Sequence, residues 1–522
     1  MDTVNEKHPG SWSLVKLGDF VESEKGKKPQ NQQNVRDEKY CYPYVDIEAF
    51  EKGILKSYAD GENCRFCSVE DFLMVWDGSR SGLVGKGIDG ALGSTLVRIN
   101  FPGILNDYAY YFLQSKYLQI NSRAKGSGTP HVDPDLLWNY SFPIPPYDEQ
   151  HRIVAKIEEL FSELDKGIES LNTARAQLKV YRQALLKHAF EGKLTEQWRK
   201  DNADKLEPAD QLLERIKQER EGRYQQQLEE WKTAVKQWEA DGKDGKKPAK
   251  PKELQDISLD KVALSQLPML PENLQYICLG HLVDEPKYGT SKKCTYETDG
   301  TGVLRIPNVV SGRLDVSDLK YAQFDKSELQ DLSIQDGDLL IVRSNGSVSI
   351  VGKSALVESK HSHFSYAGYL IRLRPNSKLL NSKYLLFLIG SHMLRKQIEA
   401  KAKSTSGVNN INSGEIRSLI VPVMGLEEQR VVVERLEAKL SIVDKSLIDI
   451  EENQGKAEAL RQSILKKAFS GRLIPQDPND EPASVLLGRI AQEKEEAAAK
   501  AKDAKTAQKK AKAPKPVTRK AS

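Results

Sequence analysis

The sequence predicts an α+β protein built as an internal pseudo-two-fold repeat: two similar α/β globular domains separated by two long antiparallel coiled-coil helices. Three observations lead there. A block of sequence occurs twice, each copy carries helical heptads, and each is preceded by its own β-rich region. At 522 residues the chain is too long for one compact core, and a hydrophobic content of 39% suffices to fold more than one domain.

The repeat comes first. Glu149-Gln150 through Leu194 matches Glu428-Gln429 through Leu473 at a constant offset of 279, without a gap, with 15 identities in 46 positions. Both copies contain Asp-Lys (Asp165-Lys166, Asp444-Lys445) and Arg-Gln (Arg182-Gln183, Arg461-Gln462), and both close on Ala-Phe-x-Gly-x-Leu. A Glu-Pro-Ala follows each copy, at Glu207 and Glu481, and leads into Leu-Leu-x-Arg-Ile.

Each copy reads as one long amphipathic helix. Ile157, Leu164, Leu171, Leu178 and Leu185 recur every seventh residue, as do Leu436, Val443, Ile450, Ala457 and Ile464. Such a heptad makes a narrow apolar seam that needs a partner helix, so these positions (Ala457 being the smallest) are the expected helix-pairing residues. A helix from Glu149 to Phe190 would run about 60 Å at 1.5 Å per residue, longer than a core helix requires. Gly192 and Gly471 suit the residue just past a helix end. Gly167, Ser446, Asn453 and Gly455 interrupt the seam.

The preceding regions are rich in β-branched and aromatic residues broken by turns, as in Phe72-Leu73-Met74-Val75-Trp76 and Asp338-Leu339-Leu340-Ile341-Val342-Arg343. Shorter helical patterns lie near Asp107–Ala124 and Ser382–Lys401. The expected division is a first globule at 1–148, a helical spacer at 149–219 and a helical, basic linker at 220–265. A second globule at 266–427, a second spacer at 428–495 and a basic disordered tail at 496–522 complete it. That tail draws on Lys500 to Ser522, which hold nine cations against Asp503 alone.

Bulk charge decides little, since 78 cations face 74 anions. The sequence begins without a secretory signal pattern, and no run of about 18 apolar residues occurs. Five scattered cysteines (Cys41, Cys64, Cys67, Cys278, Cys294) suit a reducing cytoplasm.

Several fragments imitate catalytic motifs and fail on context. Gly85-Lys86-Gly87-Ile88-Asp89-Gly90 has dinucleotide-loop spacing, but strand-like residues follow where a helix N-terminus should hold the pyrophosphate, so a hairpin turn is expected. Gly346 and Gly352-Lys353-Ser354 are spaced one residue too widely for a phosphate-binding loop. Ile144-Pro145-Pro146-Tyr147 lacks the polar residue that an adenine methyltransferase places before Pro-Pro-Tyr. Cys64-Arg65-Phe66-Cys67 has no second pair to complete a zinc site. His361 and His363 read as surface residues around a turn. No catalytic residue and no metal ligand is expected.

The duplicated layout resembles the specificity subunit of type I DNA restriction-modification systems. The resemblance covers nearly the whole chain. It rests on Leu17-Gly18 and Leu279-Gly280 at the domain starts, Leu270-Pro271, Gly337 to Arg343, and Val351-Gly352-Lys353-Ser354-Ala355. Further carriers are Ile144-Pro145-Pro146 and Val421-Pro422-Val423 before each Glu-Gln, and the two helix ends. The chain departs from the pattern at Trp76-Asp77, set against Val342-Arg343, and at Leu274, where the family often has the tryptophan found at Trp12.

The resemblance implies two target-recognition domains, each reading one half of a split, asymmetric site in double-stranded DNA. The helices would set the gap and dock two methyltransferase subunits, and two restriction/translocase subunits would add ATP-dependent cleavage, without a membrane. S-adenosylmethionine, ATP and Mg are expected on those partners and no cofactor on this chain. The expected DNA contacts are Ser79, Arg80, Ser81, Lys86, Lys125, Ser127, Thr129 and His131 in the first domain. In the second they are Arg343, Asn345, Ser347, Lys353, Lys401, Lys403, Asn409 and Asn410. Arginine suits guanine and asparagine suits adenine in the major groove, while lysines hold phosphates. The rival readings are a fused nuclease or methyltransferase, which needs a cofactor loop or acidic metal cluster, and a coiled-coil adaptor whose globules bind proteins.

Overall fold

The computed structural model describes residues 8–126, 128–243, 247–251, 256–310, 312–402 and 407–511. It divides into two compact units, Met1–Asn172 with Glu451–Ser522, and Thr173–Ile450. Both divisions fall inside the two long helices, Tyr147–Phe190 and Leu426–Phe469, each of 44 residues. Each unit thus owns the start of one long helix and the end of the other.

In the first unit an antiparallel sheet orders its strands Glu22–Lys25, Leu96–Asn100, Phe72–Val75, Val84–Lys86. Phe72–Val75 is buried along its whole length, because Leu73 and Val75 face a core with Val45, Leu92 and Leu96 while Phe72 and Met74 face the helices. A five-stranded sheet lies on the other side of that smaller core. The Gly85–Gly90 stretch is not a hairpin. Val84–Lys86 belongs to the four-stranded sheet and Gly90–Leu92 to the five-stranded one, so this segment crosses between sheets.

The second unit repeats the plan with Lys287–Tyr288, Leu370–Leu373, Leu339–Val342, Ser354–Leu356. Its late helical pattern is broken in two, Ser382–Ile389 and His392–Lys401, because Ser391 caps the second piece through its side chain. The first unit keeps one helix here, Asn106–Ser122. His361 is buried rather than superficial: its Nδ1 accepts from the Glu358 amide (3.1 Å), closing a short helical turn.

The Leu-Gly pairs mark a close approach. A Cβ on Gly18 would lie 2.8 Å from Trp138 Cβ, and one on Gly280 2.8 Å from Arg417 Cβ. The strands before the long helices, Ser141–Ile144 and Ile420–Val423, each pair with one partner only, which lets them carry Pro143 and Pro422. Tyr147 opens the first long helix, so the Pro-Pro-Tyr segment is a helix start.

The Glu-Gln pairs are the joints between globule and helix. Gln150, fully buried, accepts from the Leu105 amide (2.9 Å) and donates to the Pro145 carbonyl (3.1 Å). Gln429, equally buried, accepts from the Asn381 amide (2.8 Å) and donates to the carbonyls of Leu379 (2.9 Å) and Met424 (2.8 Å). Trp12 Nε1 (3.0 Å) and Gln476 Nε2 (2.6 Å) donate to Glu149, whose burial raises its carboxyl above the usual range. Leu274 offers no such donor, and Glu428 instead receives Thr195 Oγ1 (2.7 Å), Arg199 Nη1 (2.5 Å) and Asn273 Nδ2 (2.9 Å).

The heptad seam is real and antiparallel. Ile157, Leu185, Leu436, Val443, Ile450 and Ile464 are buried, with Leu164, Leu171 and Leu178 half-buried. In the first unit Arg461 pairs with Asp165, and Gln454 Nε2 donates to Asn172 Oδ1 (2.8 Å), seven residues on along one helix and seven back along the other. In the second unit Arg182 pairs with Asp444, the same ion pair with the two repeats exchanged. The helix ends complete the globules. Phe469 sits against Tyr108 and Phe112 (centroids 5.2 and 5.3 Å) and Phe190 against Tyr384 (5.3 Å).

Two further helices follow, Ala209–Ala240 and Ala483–Ala511. Their first turns are buried through Ala209, Leu212 and Ile216, and through Ala483, Leu486 and Ile490. The tail expected to be disordered from 496 is therefore helical to Ala511. Its alanines, lysines and glutamates are strong helix formers, which the charge count alone did not weigh. Residues 512–522 lie outside those described.

Candidate nucleic-acid interface

In both units the buried central strand ends at a residue that leaves the sheet and meets a second loop. The frame is the same. Val75 N–H bonds to Leu83 O, Trp76 N–H to Thr95 O, and Val132 N–H to Trp76 O. In the second unit Val342 bonds to Lys353, Arg343 to Tyr369, and Ile411 to Arg343 in the same manner. Trp76 is thus the counterpart of Arg343.

In the first unit, Asp77 and Lys125 both bridge to His131, and Gly78 N–H reaches Pro130 O (2.7 Å). Loop 77–82 therefore forms one edge with Lys125 and residues 128–131. Ser79, Arg80 and Thr129 are exposed on it. Arg80 pairs with Glu51 (2.5 Å), and Lys125 with Asp133 (2.9 Å), a contact that raises the lysine and lowers the aspartate. His131 is half-buried at the junction.

Two expected contacts are placed elsewhere. Ser81 is fully buried, its hydroxyl donating to Gly78 O (2.5 Å) and Pro130 O (3.1 Å), so it ties the loops together instead of facing outward. Lys86 lies opposite Phe72, at the far end of the central strand, pairing with Asp107 and covering the Tyr110 ring (5.2 Å). Burial lowers its pKa. Ser127 is outside the described residues, as is Lys403.

The second unit gathers its set more tightly. Strand Ser344–Asn345 pairs antiparallel with Asn409–Asn410, which brings three asparagine amides onto one two-stranded ribbon. Arg343 Nε donates to Asn410 Oδ1 (3.1 Å) while its guanidinium covers the Tyr288 ring (4.6 Å). It positions Asn410, a role the guanine pairing did not anticipate. Asn409 Nδ2 donates to Gly346 O (2.9 Å), and Ser347 N–H to Asn345 Oδ1 (2.9 Å). Lys353 is exposed beside the end of the central strand, and Lys401 ends the helix next to Ala402, whose carbonyl accepts from Asn410 N–H (3.3 Å).

Sequence reasoning missed Lys25 and Tyr288, which occupy equivalent places on the neighbouring strand. Lys25 pairs with Asp77 (2.8 Å) where Tyr288 stacks under Arg343. A signal was present. Each is followed by a glycine, Gly26 and Gly289, whose added Cβ would fall 2.1 Å from Gly93 O and 2.3 Å from Ala367 O. Tyr369, 63% exposed beside Arg343, was missed as well and had no such marker.

A two-stranded ribbon is narrow enough for the major groove, and its amides present donors and acceptors together. The Cys67 thiol donates to Ile88 O (3.1 Å), and burial pushes its pKa up to about 12. Among the described residues no three His, Cys, Asp or Glu side chains come together as metal ligands, and no helix is long and apolar enough to cross a membrane.

Comparison with known proteins agrees with this layout. Residues 9–173 match the family model for the type I restriction modification DNA specificity domain. The chain is 25% identical over 445 residues to the type I restriction enzyme EcoKI specificity subunit of Escherichia coli K12, covering 82% of each. It is 33% identical over 203 residues to the MjaVIII specificity subunit of Methanocaldococcus jannaschii, 36% of this chain and 48% of that one. A solved chain from a study of complex assembly and conformational transition of the type I R-M system shares the fold, with a TM-score of 0.60 at 18% identity over 90% of this chain and 100% of that chain. With the duplicated frame and the paired helices, these likenesses agree: residues 9–173 match a type I restriction modification DNA specificity domain, and the chain over most of its length is similar to type I restriction enzyme specificity subunits.

Proposed function

We propose that this chain confers DNA sequence specificity on a type I restriction–modification complex in the cytoplasm, each unit presenting one reading edge to one half of a bipartite site. The observation that carries this is one backbone frame bearing two different sets of side chains. The edge of the first unit offers Lys25, Asp77, Arg80, Lys125 and His131, and that of the second offers Asn345, Asn409, Asn410 and Lys353. Two chemically unlike edges read two unlike half-sites, and asparagine amides favour adenine in the second. Exposed lysines would hold phosphates and set register.

The chain itself performs no reaction in this proposal. Methylation of adenine with S-adenosylmethionine, and cleavage with ATP and Mg, fall to two methyltransferase and two restriction subunits docked on the paired helices. Selection from a random duplex library by the chain with its methyltransferase partner tests this. Recovered sequences should share two short motifs at a fixed separation, and Asn409→Ala with Asn410→Ala should relax one motif only. Recovery of no common sequence would favour the adaptor reading.

A further inference from the structure

Helix Ala209–Ala240 outlasts its contact with the second unit's core. Its first turns are buried, and Arg215–Glu207 (2.7 Å), Lys378–Glu219 (3.0 Å) and Arg223–Asp284 (2.6 Å) pin it as far as Arg223. Beyond that point Tyr224, Leu228, Trp231, Val235 and Trp238 follow at alternating spacings of four and three residues, all half-buried, while the intervening residues are exposed. That is a narrow apolar stripe, and two of the six tryptophans of the chain lie on it.

The stripe already has an occupant. The chain reverses at Gly242 and Lys243, both in the left-handed region (φ 78° and 64°). The run Lys247-Pro248-Ala249-Lys250-Pro251 then meets the helix. Trp231 Nε1 donates to the Pro248 carbonyl (3.0 Å), and Lys247 Nζ lies over the Trp238 ring (5.9 Å). An indole N–H given to a carbonyl of a proline-containing segment, with an aromatic face beside it, is how grooves elsewhere hold polyproline helices. Proline lowers the ordering cost of such a ligand, and the neighbouring ammonium adds a cation–π contact.

We propose that Trp231 and Trp238 form a binding site for an extended peptide containing lysine and proline, and that its resident ligand is this chain's own 247–251 run. Seated there, the run folds the connector back along the helix. An external segment of the same chemistry competes for the same face. The site is independent of DNA reading, which stands or falls on other residues.

The test uses the full chain labelled with 5-fluorotryptophan, the Trp231 and Trp238 signals among its six fluorine resonances assigned through Trp231→Phe and Trp238→Phe. Replacing residues 247–251 by a glycine–serine run of equal length should shift the Trp231 and Trp238 resonances and leave the other four in place. Adding the peptide Lys-Lys-Pro-Ala-Lys-Pro-Lys to that variant should return both saturably, and Trp231→Phe should weaken the peptide by roughly tenfold through loss of one hydrogen bond. Unmoved resonances on replacing the run would overturn the proposal. So would a peptide that fails to restore them, or a glutamate-for-lysine peptide that binds equally well. Unchanged DNA selection by the variant confirms that the fold survives.

Discussion

Replacing Gln429 by Met tests whether the Glu-Gln pair is a structural joint. Methionine has nearly the same length and fills the space, so the change isolates the hydrogen bonds. Three backbone groups lose their partner: the Asn381 amide and the carbonyls of Leu379 and Met424. A buried backbone group left unpaired costs about 1–3 kcal/mol, less for a carbonyl with a second lone pair, so the total is roughly 3–5 kcal/mol. Gln150→Met strands only the Leu105 amide and the Pro145 carbonyl and should cost roughly 2–3 kcal/mol. A chain of two units need not unfold in one step, so the suitable assay is local: hydrogen–deuterium exchange of peptides spanning 376–390. A loss of about 4 kcal/mol accelerates exchange at Asn381 by roughly a thousandfold. Acceleration below about threefold would refute the reasoning, because the side chain would then carry none of the joint.

Three more expectations follow from the same geometry. Residues 1–219 alone should form a dimer by light scattering, since Leu185, Leu186, Ala189, Phe190, Leu212 and Ile216 are the repeat equivalents of Ile464, Leu465, Ala468, Phe469, Leu486 and Ile490, which close the first unit's core. A stable monomer would contradict this. Burial lowers His281 to about 4, with Arg220 adding to the effect, and its Nε2 accepts from the Ile257 amide (3.4 Å). The ring is neutral in both states above about pH 6.5, the ordinary histidine value. Between there and about 4 the unfolded chain takes the proton first, so stability falls with pH by on the order of 2–3 kcal/mol. His281→Asn should flatten that slope in urea melts, and an unchanged slope would assign it to other groups. Gly167 is exposed within its helix, with no atom near an added Cβ. Gly167→Ala should therefore raise the thermal midpoint, by up to about 1 kcal/mol of stability, and a lowered midpoint would mean that the glycine has a role in the pairing.

The sequence disclosed what depends on periodicity and duplication. The heptads located both long helices to within two residues of their starts, and the Asp-Lys and Arg-Gln marks turned out to be the reciprocal ion pairs Asp165–Arg461 and Asp444–Arg182. It hid what depends on which residues meet across the fold. Ser81 and Lys86 are as polar as Ser79 and Arg80, yet one is buried between loops and the other is carried to the opposite end of a strand. Arg343 reads as a base contact until Asn410 and Tyr288 are seen to hold it. That each unit is completed by the other repeat's helix end was not legible either, because a gapless repeat does not say which copy packs on which globule.

The central claim, that two unlike edges read two halves of one site, is tested most directly by mapping methylated adenines in a genome carrying this gene and its methyltransferase partner. A single bipartite motif is expected. Exchanging residues 1–148 for those of a relative should alter one half and leave the other half and the gap unchanged. Alteration of both halves, or methylation by this chain without its partner, would contradict it.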